Sequence, residues 1–212
     1  MLMIDHAIVA VEDPESWAAT LRDRAGLVAI PGGRHEGTGT CNWIVPLGDT
    51  YLELMSVVDR TQARQSALGR WVLDETRTGD RLAAVCLRTD ALEEIANRIG
   101  EQPEAMSRRT DDDEVLHWRL AGLAAAMSDE RLPFFIQWDI DAGQHPGAAA
   151  VDHDTETDGI SWIEYGGDTD RLADWLGDHA LPIRAVDAPP GPRTVAIATR
   201  DRLVQITMAG IA

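Results

Sequence analysis

The sequence predicts an α+β fold assembled from repeated βαβββ units. Three times an apolar strand leads into a capped amphipathic helix and then into further strands. The opening strands start about 78 residues apart, and each helix closes on a glycine, Gly26, Gly100 or Gly177. A fixed period of this size marks duplicated supersecondary units.

The first unit opens with Met3 to Val11. Asp13 is a good N-cap and Pro14 suits the first helical position. Trp17, Ala18, Leu21 and Ala25 then form one helical face. Strands are expected near Leu27 to Ile30, Asn42 to Leu47 and Thr50 to Val57. The second unit opens with Leu82 to Leu87, takes Thr89 or Asp90 as cap, and aligns Leu92, Ile95, Ala96 and Ile99 on its helix. Its later strands are Val115 to Leu120 and Phe134 to Asp139. The third opens with Ile160 to Tyr165, caps near Asp168, and places its strands at Ile183 to Val186, Thr194 to Ala198 and Arg202 to Met208. The organisation is therefore 1–58 as first module, 59–79 as connecting helix with Leu68, Trp71 and Val72 in a stripe, and 80–141 as second module. A loop or linker over 142–158 leads to a compact third module over 159–212. Loops of that length are often functional or mobile.

With 212 residues and 44% apolar content, the chain can bury a substantial core. A net charge of -17 argues against nucleic acid and anionic membrane surfaces as partners, since both favour a basic face. All 19 basic residues are arginine, a pattern that speaks for a GC-rich or salt-adapted genome before it speaks for a function. Cys41 and Cys86 each lie in an apolar strand, so buried free thiols are expected rather than a disulfide framework. The start, Met1 to His6, lacks the basic region of a signal peptide, and no stretch approaches ~18 apolar residues. A cytoplasmic setting is expected.

Two polar residues sit where apolar ones belong. Side chains alternate along a strand, so His6 shares a face with Ile4, Ile8 and Ala10, and Glu53 with Tyr51, Met55 and Val57. An ionised carboxylate on an apolar face must be neutralised, paired or bound to a metal. Pairing of Glu53 with an arginine and of His6 with a carbonyl is one solution; a metal site is the other. Between them, Gly32 to Asn42 is dense in glycine and expected to be a contact loop. It lacks the later glycine of a dinucleotide loop and the lysine of a P-loop, which excludes nucleotide binding of those types.

The segments Ile4-Asp5-His6, Gly32-Gly33-Arg34-His35, Gly39-Thr40-Cys41-Asn42 and Tyr51-Leu52-Glu53-Leu54 resemble the glyoxalase-like branch of the vicinal oxygen chelate superfamily. Leu132 to Trp138 and His145-Pro146 match more weakly. The resemblance covers residues 1 to 150 well and the remainder by element order. It implies an open, cup-shaped mixed sheet of βαβββ modules with helices outside, and a divalent metal (Zn, Fe, Mn, Ni or Co) held by His6 and Glu53. In the second module Ala84 stands where a second histidine would be, and Gln137 aligns with Glu53. Gln137 is accordingly placed in the cup as a third ligand, and Trp138, of opposite parity, in packing. His35, His145 or His153 would otherwise complete the ligand set. Glu53 and His35 are the expected catalytic residues. Thr40, Asn42, Tyr51, His117 and Arg119 are expected to bind substrate.

The function so implied is a metal-dependent enzyme acting on a small molecule through vicinal oxygens, of isomerase, lyase or dioxygenase type. The alternative is a non-catalytic, drug-sequestering binder that holds a cationic compound in an acidic cup. A homodimer is expected, because an unpaired sheet needs cover.

Overall fold

The computed structural model describes residues 1–109, 114–208 and 210–212. Eight strands form the first body: β1 (Met3–Ala10), β2 (Ile30–His35), β3 (Thr40–Pro46), β4 (Tyr51–Val57), β5 (Arg81–Arg88), β6 (Glu104–Arg109), β7 (Val115–Ala121) and β8 (Phe134–Trp138). They pair in the order β1-β4-β3-β2-β6-β7-β8-β5 and close into a barrel. In each half the first strand runs parallel to the last, β1 with β4 and β5 with β8. The halves meet along two antiparallel seams, β1 with β5 and β2 with β6.

Closure corrects the expected open cup. The β2–β6 seam is short, joining Arg34 to Arg109 and His35 to Arg108. It depends on Gly33, whose φ is 133° and where a Cβ would stand 2.4 Å from the carbonyl oxygen of Arg109. The glycine-rich stretch is therefore strand, turn and strand rather than a loop. β6 escapes sequence analysis because Glu104 to Arg109 is polar and shows no apolar alternation.

Local chemistry sets the helices. In α1 (Pro14–Ala25), Asp13 accepts a hydrogen bond from the Ser16 amide, and Gly26 ends the helix in left-handed conformation, φ 69°. The connecting segment holds α2 (Arg60–Ala63) and α3 (Ala67–Glu75), the latter capped by Ser66. The helix of the second half, α4 (Leu92–Ile99), begins after Ala91 without a side-chain cap. Thr89, one of the expected caps, instead accepts from the Ala91 amide. The short α5 (Leu123–Ala126) links β7 to β8.

A second sheet follows: β9 (Thr157–Gly166), α6 (Thr169–Leu176), β10 (Ile183–Val186), β11 (Gly191–Thr199), β12 (Leu203–Thr207) and β13 (Gly210–Ile211). Its strand order is β10-β9-β11-β12-β13, with β9 parallel to β10. The order of elements matches the earlier units, but the pairing does not, because β9 takes an inner position beside β10 instead of joining the last strand. This sheet packs on the outside of the barrel, where Ile163, Val195, Ile197 and Val204 share one core with Val9, Leu82, Val85, Leu87 and Phe135. The Trp175 indole donates to the Pro133 carbonyl at 2.7 Å across the junction. A separate core fills the barrel interior, including Ile8, Ala10, Met55, Trp71, Cys86, Trp118 and Phe134. Cys41 and Cys86 are free thiols, Cys86 buried and Cys41 half-buried. Among the described residues, no helix is long and apolar enough to cross a membrane.

Phe135 is fully buried with its ring 6.1 Å from that of Trp175. Phe135→Ala should therefore cost ~3–5 kcal/mol in urea unfolding, whereas Leu203→Ala, at an exposed position, should stay within about 0.5 kcal/mol.

Candidate functional site

The barrel interior opens into a pocket of about 660 Å³, counting its open mouth. Its two walls differ in chemistry. β1 to β4 contribute the polar group His6, His35, Asn42, Tyr51 and Glu53, with Ile8, Ile44 and Met55 beside it. The second half and the helices contribute mainly apolar groups, among them Trp71, Trp118, Ile136 and Trp138, with Arg108 the one cation.

His6 enters the pocket through an irregularity. The β1–β5 register shifts between Ile4 and His6, so Asp5 is an extra residue in β1, a β-bulge. Ile4 consequently packs in the outer core while Ile8 packs inside. The expected common face of Ile4 and His6 is broken, and Asp5 is fully buried beside the histidine. Its Oδ1 lies 2.7 Å from His6 Nδ1, and its Oδ2 lies 3.0 Å from both Trp138 Nε1 and His145 Nε2. Burial by itself would raise this carboxyl, but the hydrogen bonds from His145 and His6 hold it well below the usual carboxylate range. An ionised carboxylate only accepts. His6 therefore carries its proton on Nδ1 and turns Nε2 toward Glu53, 3.4 Å away. His145 Nδ1 accepts from the Gly147 amide at 3.1 Å, so Nε2 is its donor.

A matching chain fixes His35. Thr38 Oγ1 donates to the His35 carbonyl and lies 2.8 Å from Thr40 Oγ1, which in turn lies 2.9 Å from His35 Nδ1. Thr38 having spent its proton, Thr40 donates to it and accepts from His35 Nδ1–H. Burial pushes the pKa of His35 down, against the pull of the Glu53 carboxylate. The neutral ring presents Nε2 to Glu53 Oε1 at 3.6 Å. Glu53 itself accepts from Asn42 Nδ2 at 2.6 Å, and Asn42 Oδ1 accepts from Arg108 Nη1 at 2.9 Å. Gly32 lies beneath this bridge, where a Cβ would stand 2.4 Å from Asn42 Oδ1 and 2.5 Å from Arg108 Nη1.

Glu53 thus stands between the Nε2 atoms of His6 and His35, each ring oriented by a partner on its Nδ1. Two ligands of one tetrahedral zinc, each roughly 2.1 Å from it, stand about 3.4 Å apart; the His6–Glu53 and His35–Glu53 separations each suit such a pair, through different oxygens of Glu53, but the three residues do not bring one donor atom each within 4.8 Å of one another, so a shared ion would need these side chains to draw together. Among the described residues, the set of three that does bring donor atoms within 4.8 Å of one another is Asp5, His6 and Cys86. That set is a poorer site, because both Asp5 oxygens already accept hydrogen bonds and burial keeps the Cys86 thiol protonated.

Several expected residues lie elsewhere. Gln137 accepts from Arg119 at 2.9 Å on the outer face of β8, while Trp138 reaches the pocket. Ala84 and Ile136 are the inward residues of the second half, which supplies no ligand there. His117 is exposed, and Arg119 pairs with Glu93. Strand alternation turns both outward and their neighbour Trp118 inward. Thr40 acts through His35, and Tyr51 stacks on His6 with ring centroids 4.4 Å apart. His153 is a structural tie, accepting from the Val28 amide and reaching the Pro46 carbonyl at 2.7 Å. Asp5 and Arg108 were not expected from sequence. The bulge hides Asp5, and the unrecognised β6 hides Arg108.

Residues 4–181 match the model of a family described as a glyoxalase-like domain. A hypothetical protein from Staphylococcus aureus superposes with a TM-score of 0.64 at 16% identity, covering 95% of this chain and 83% of its own, and shows the same fold. Methylmalonyl-CoA epimerase from Mycobacterium tuberculosis gives a TM-score of 0.42 at 16% identity, covering 64% of this chain and 85% of its own. A Streptomyces coelicolor methylmalonyl-CoA epimerase variant with 2-nitronate-propionyl-CoA gives 0.44 at 16% identity, covering 66% and 94%. No curated protein matches the chain.

Asp5→Ala leaves three buried donors without their acceptor and should cost ~3–5 kcal/mol in chemical denaturation. His117→Ala, on the exposed face, should change stability by less than about 0.5 kcal/mol.

Proposed function

Because the chain belongs to the glyoxalase-like domain family, we propose that it is a divalent-metal-dependent enzyme acting on vicinal oxygens of a small molecule, of isomerase, lyase or dioxygenase type. The observation that carries this proposal is Glu53, buried between the Nε2 atoms of His6 and His35. His6, His35 and Glu53 would hold the metal, and two imidazoles with one carboxylate suit Zn, Fe, Mn, Co or Ni. When bound, the metal supplies Lewis acidity to substrate oxygens.

The remaining work falls to this chain's side chains. Asp5 keeps the His6 proton on Nδ1, and Thr40 does the same for His35; such partners orient ligands and raise their basicity. Glu53 is the one carboxylate lining the pocket and is the group placed to accept a substrate proton, with the neutral ring of His35 beside it. Asn42 grips the same carboxylate and links it to Arg108, so the charge on Glu53 has a compensating cation two hydrogen bonds away. The apolar wall excludes water, which strengthens each of these interactions.

Sequestration of a cation finds less support, because the pocket is not an acidic cup. Its single carboxylate is already engaged and its wall carries Arg108.

Elemental mass spectrometry of untagged protein purified without chelator should find near one equivalent of a divalent metal, lost in Glu53→Ala and reduced in His35→Ala. Gln137→Ala, on the outer face, should retain it. No metal in the parent, even after addition of Mn, Fe, Co, Ni and Zn, would sink the proposal.

A further inference from the structure

The division of the pocket into one polar and one apolar wall restricts what can occupy it. Around the His6, His35 and Glu53 group, the second half and α3 supply Trp71, Trp118 and Trp138 with Met106 and Met127, Trp138 adjoining the group through its hydrogen bond to Asp5. The rings of Trp118 and Trp138 lie 5.3 Å apart, tilted by 55°, and form one aromatic surface. Methionine is polarisable and adapts to irregular apolar shapes. Such a wall desolvates a flat apolar body.

Arg108 is the charged group that the second half brings into this space, and it is buried. A guanidinium carries five N–H donors. Among the described residues its hydrogen bond is the one from Nη1 to Asn42, so donors remain for a ligand. Among the lining residues, Glu53 is the carboxylate and Arg108 the arginine, so their formal charges balance. A divalent ion would leave the site with net positive charge, which one anionic ligand group would reduce. A polyanionic tail would meet no second arginine among the lining residues.

Resting on the function proposed above, we infer that the ligand is an amphipathic monoanion: one oxygenated, anionic head lies between Arg108 and the His6–Glu53 wall, and one ring-sized apolar body lies against Trp118 and Trp138. Arg108 is the specificity-determining residue for the head and Trp118 for the body.

The test uses three probes that separate these features. Mandelate carries a ring and an anionic 2-hydroxy acid head, 1-phenyl-1,2-ethanediol carries the ring with a neutral vicinal diol, and glycolate carries the head alone. Tryptophan emission of the full chain is titrated with each probe, in metal-loaded and chelator-treated samples whose metal content is measured. Mandelate should bind about tenfold or more tightly than the diol, the size of effect expected of a charge-assisted hydrogen bond, and likewise more tightly than glycolate. Arg108→Gln should bring mandelate close to the diol while leaving the diol unchanged, and Arg108→Lys, which keeps the charge, should retain part of the preference. Trp118→Ala should weaken both phenyl ligands alike and leave glycolate unchanged.

Equal or tighter binding of the diol, glycolate matching mandelate, no binding of mandelate, or an Arg108→Gln variant with the parent's ranking would each overturn the inference. If Arg108→Gln fails to fold, the parent's ranking together with Trp118→Ala decides. Metal retained with the wrong ranking overturns this inference alone. The expected ranking in protein that takes up none of the added metals overturns the proposed metal centre and leaves the ligand class standing.

Discussion

The buried carboxylate of Asp5 is the constraint on which the site depends. It receives hydrogen bonds from His6 on its own strand, Trp138 at the end of β8 and His145 in the segment leading to the second sheet. Three parts of the chain far apart in sequence are thereby fixed to one anion. Its low pKa keeps it an acceptor throughout the neutral range. It can therefore dictate which nitrogen of His6 holds the proton, and hence which nitrogen faces Glu53. A buried charge of this kind is costly unless fully satisfied, and here both oxygens are.

Around that anchor the barrel is asymmetric. Its halves share a strand order, yet the first carries most of the ionisable groups and the second presents Ala84, Met106, Trp118, Met127, Ile136 and Trp138 to the same space. Arg108 is the exception, and it reaches the polar wall because the β2–β6 seam sets it beside His35. Gly32 and Gly33 make that approach sterically feasible. The glycine-rich stretch is thus less a contact loop than the reason the barrel can close with an arginine inside.

Much of the fold was legible. Capping by Asp13 and Asp168, termination at Gly26, and apolar strand runs gave element order over most of the chain. The inward pair His6 and Glu53 followed from alternation on β1 and β4, and Asn42 came from the family resemblance. What failed did so for local reasons. The second half was aligned one residue out on β8, which exchanged Gln137 for Trp138; a period of two turns a one-residue error into the wrong face. The polar strand β6 gave no periodic signal, so its arginine could not be placed.

The sequence by itself determined most of the strands and helices, and that a histidine and a glutamate lie on otherwise apolar faces, because alternation, caps and glycine act over a few residues. Only the tertiary structure decided that Asp5 lies beside His6, that His145 and Trp138 converge on it, that His35 faces Glu53, and that Arg108 completes the pocket. The bulge at Asp5 and the closure of β2 on β6 result from pairing between strands distant in sequence, and such pairing leaves no mark on the local pattern of either strand.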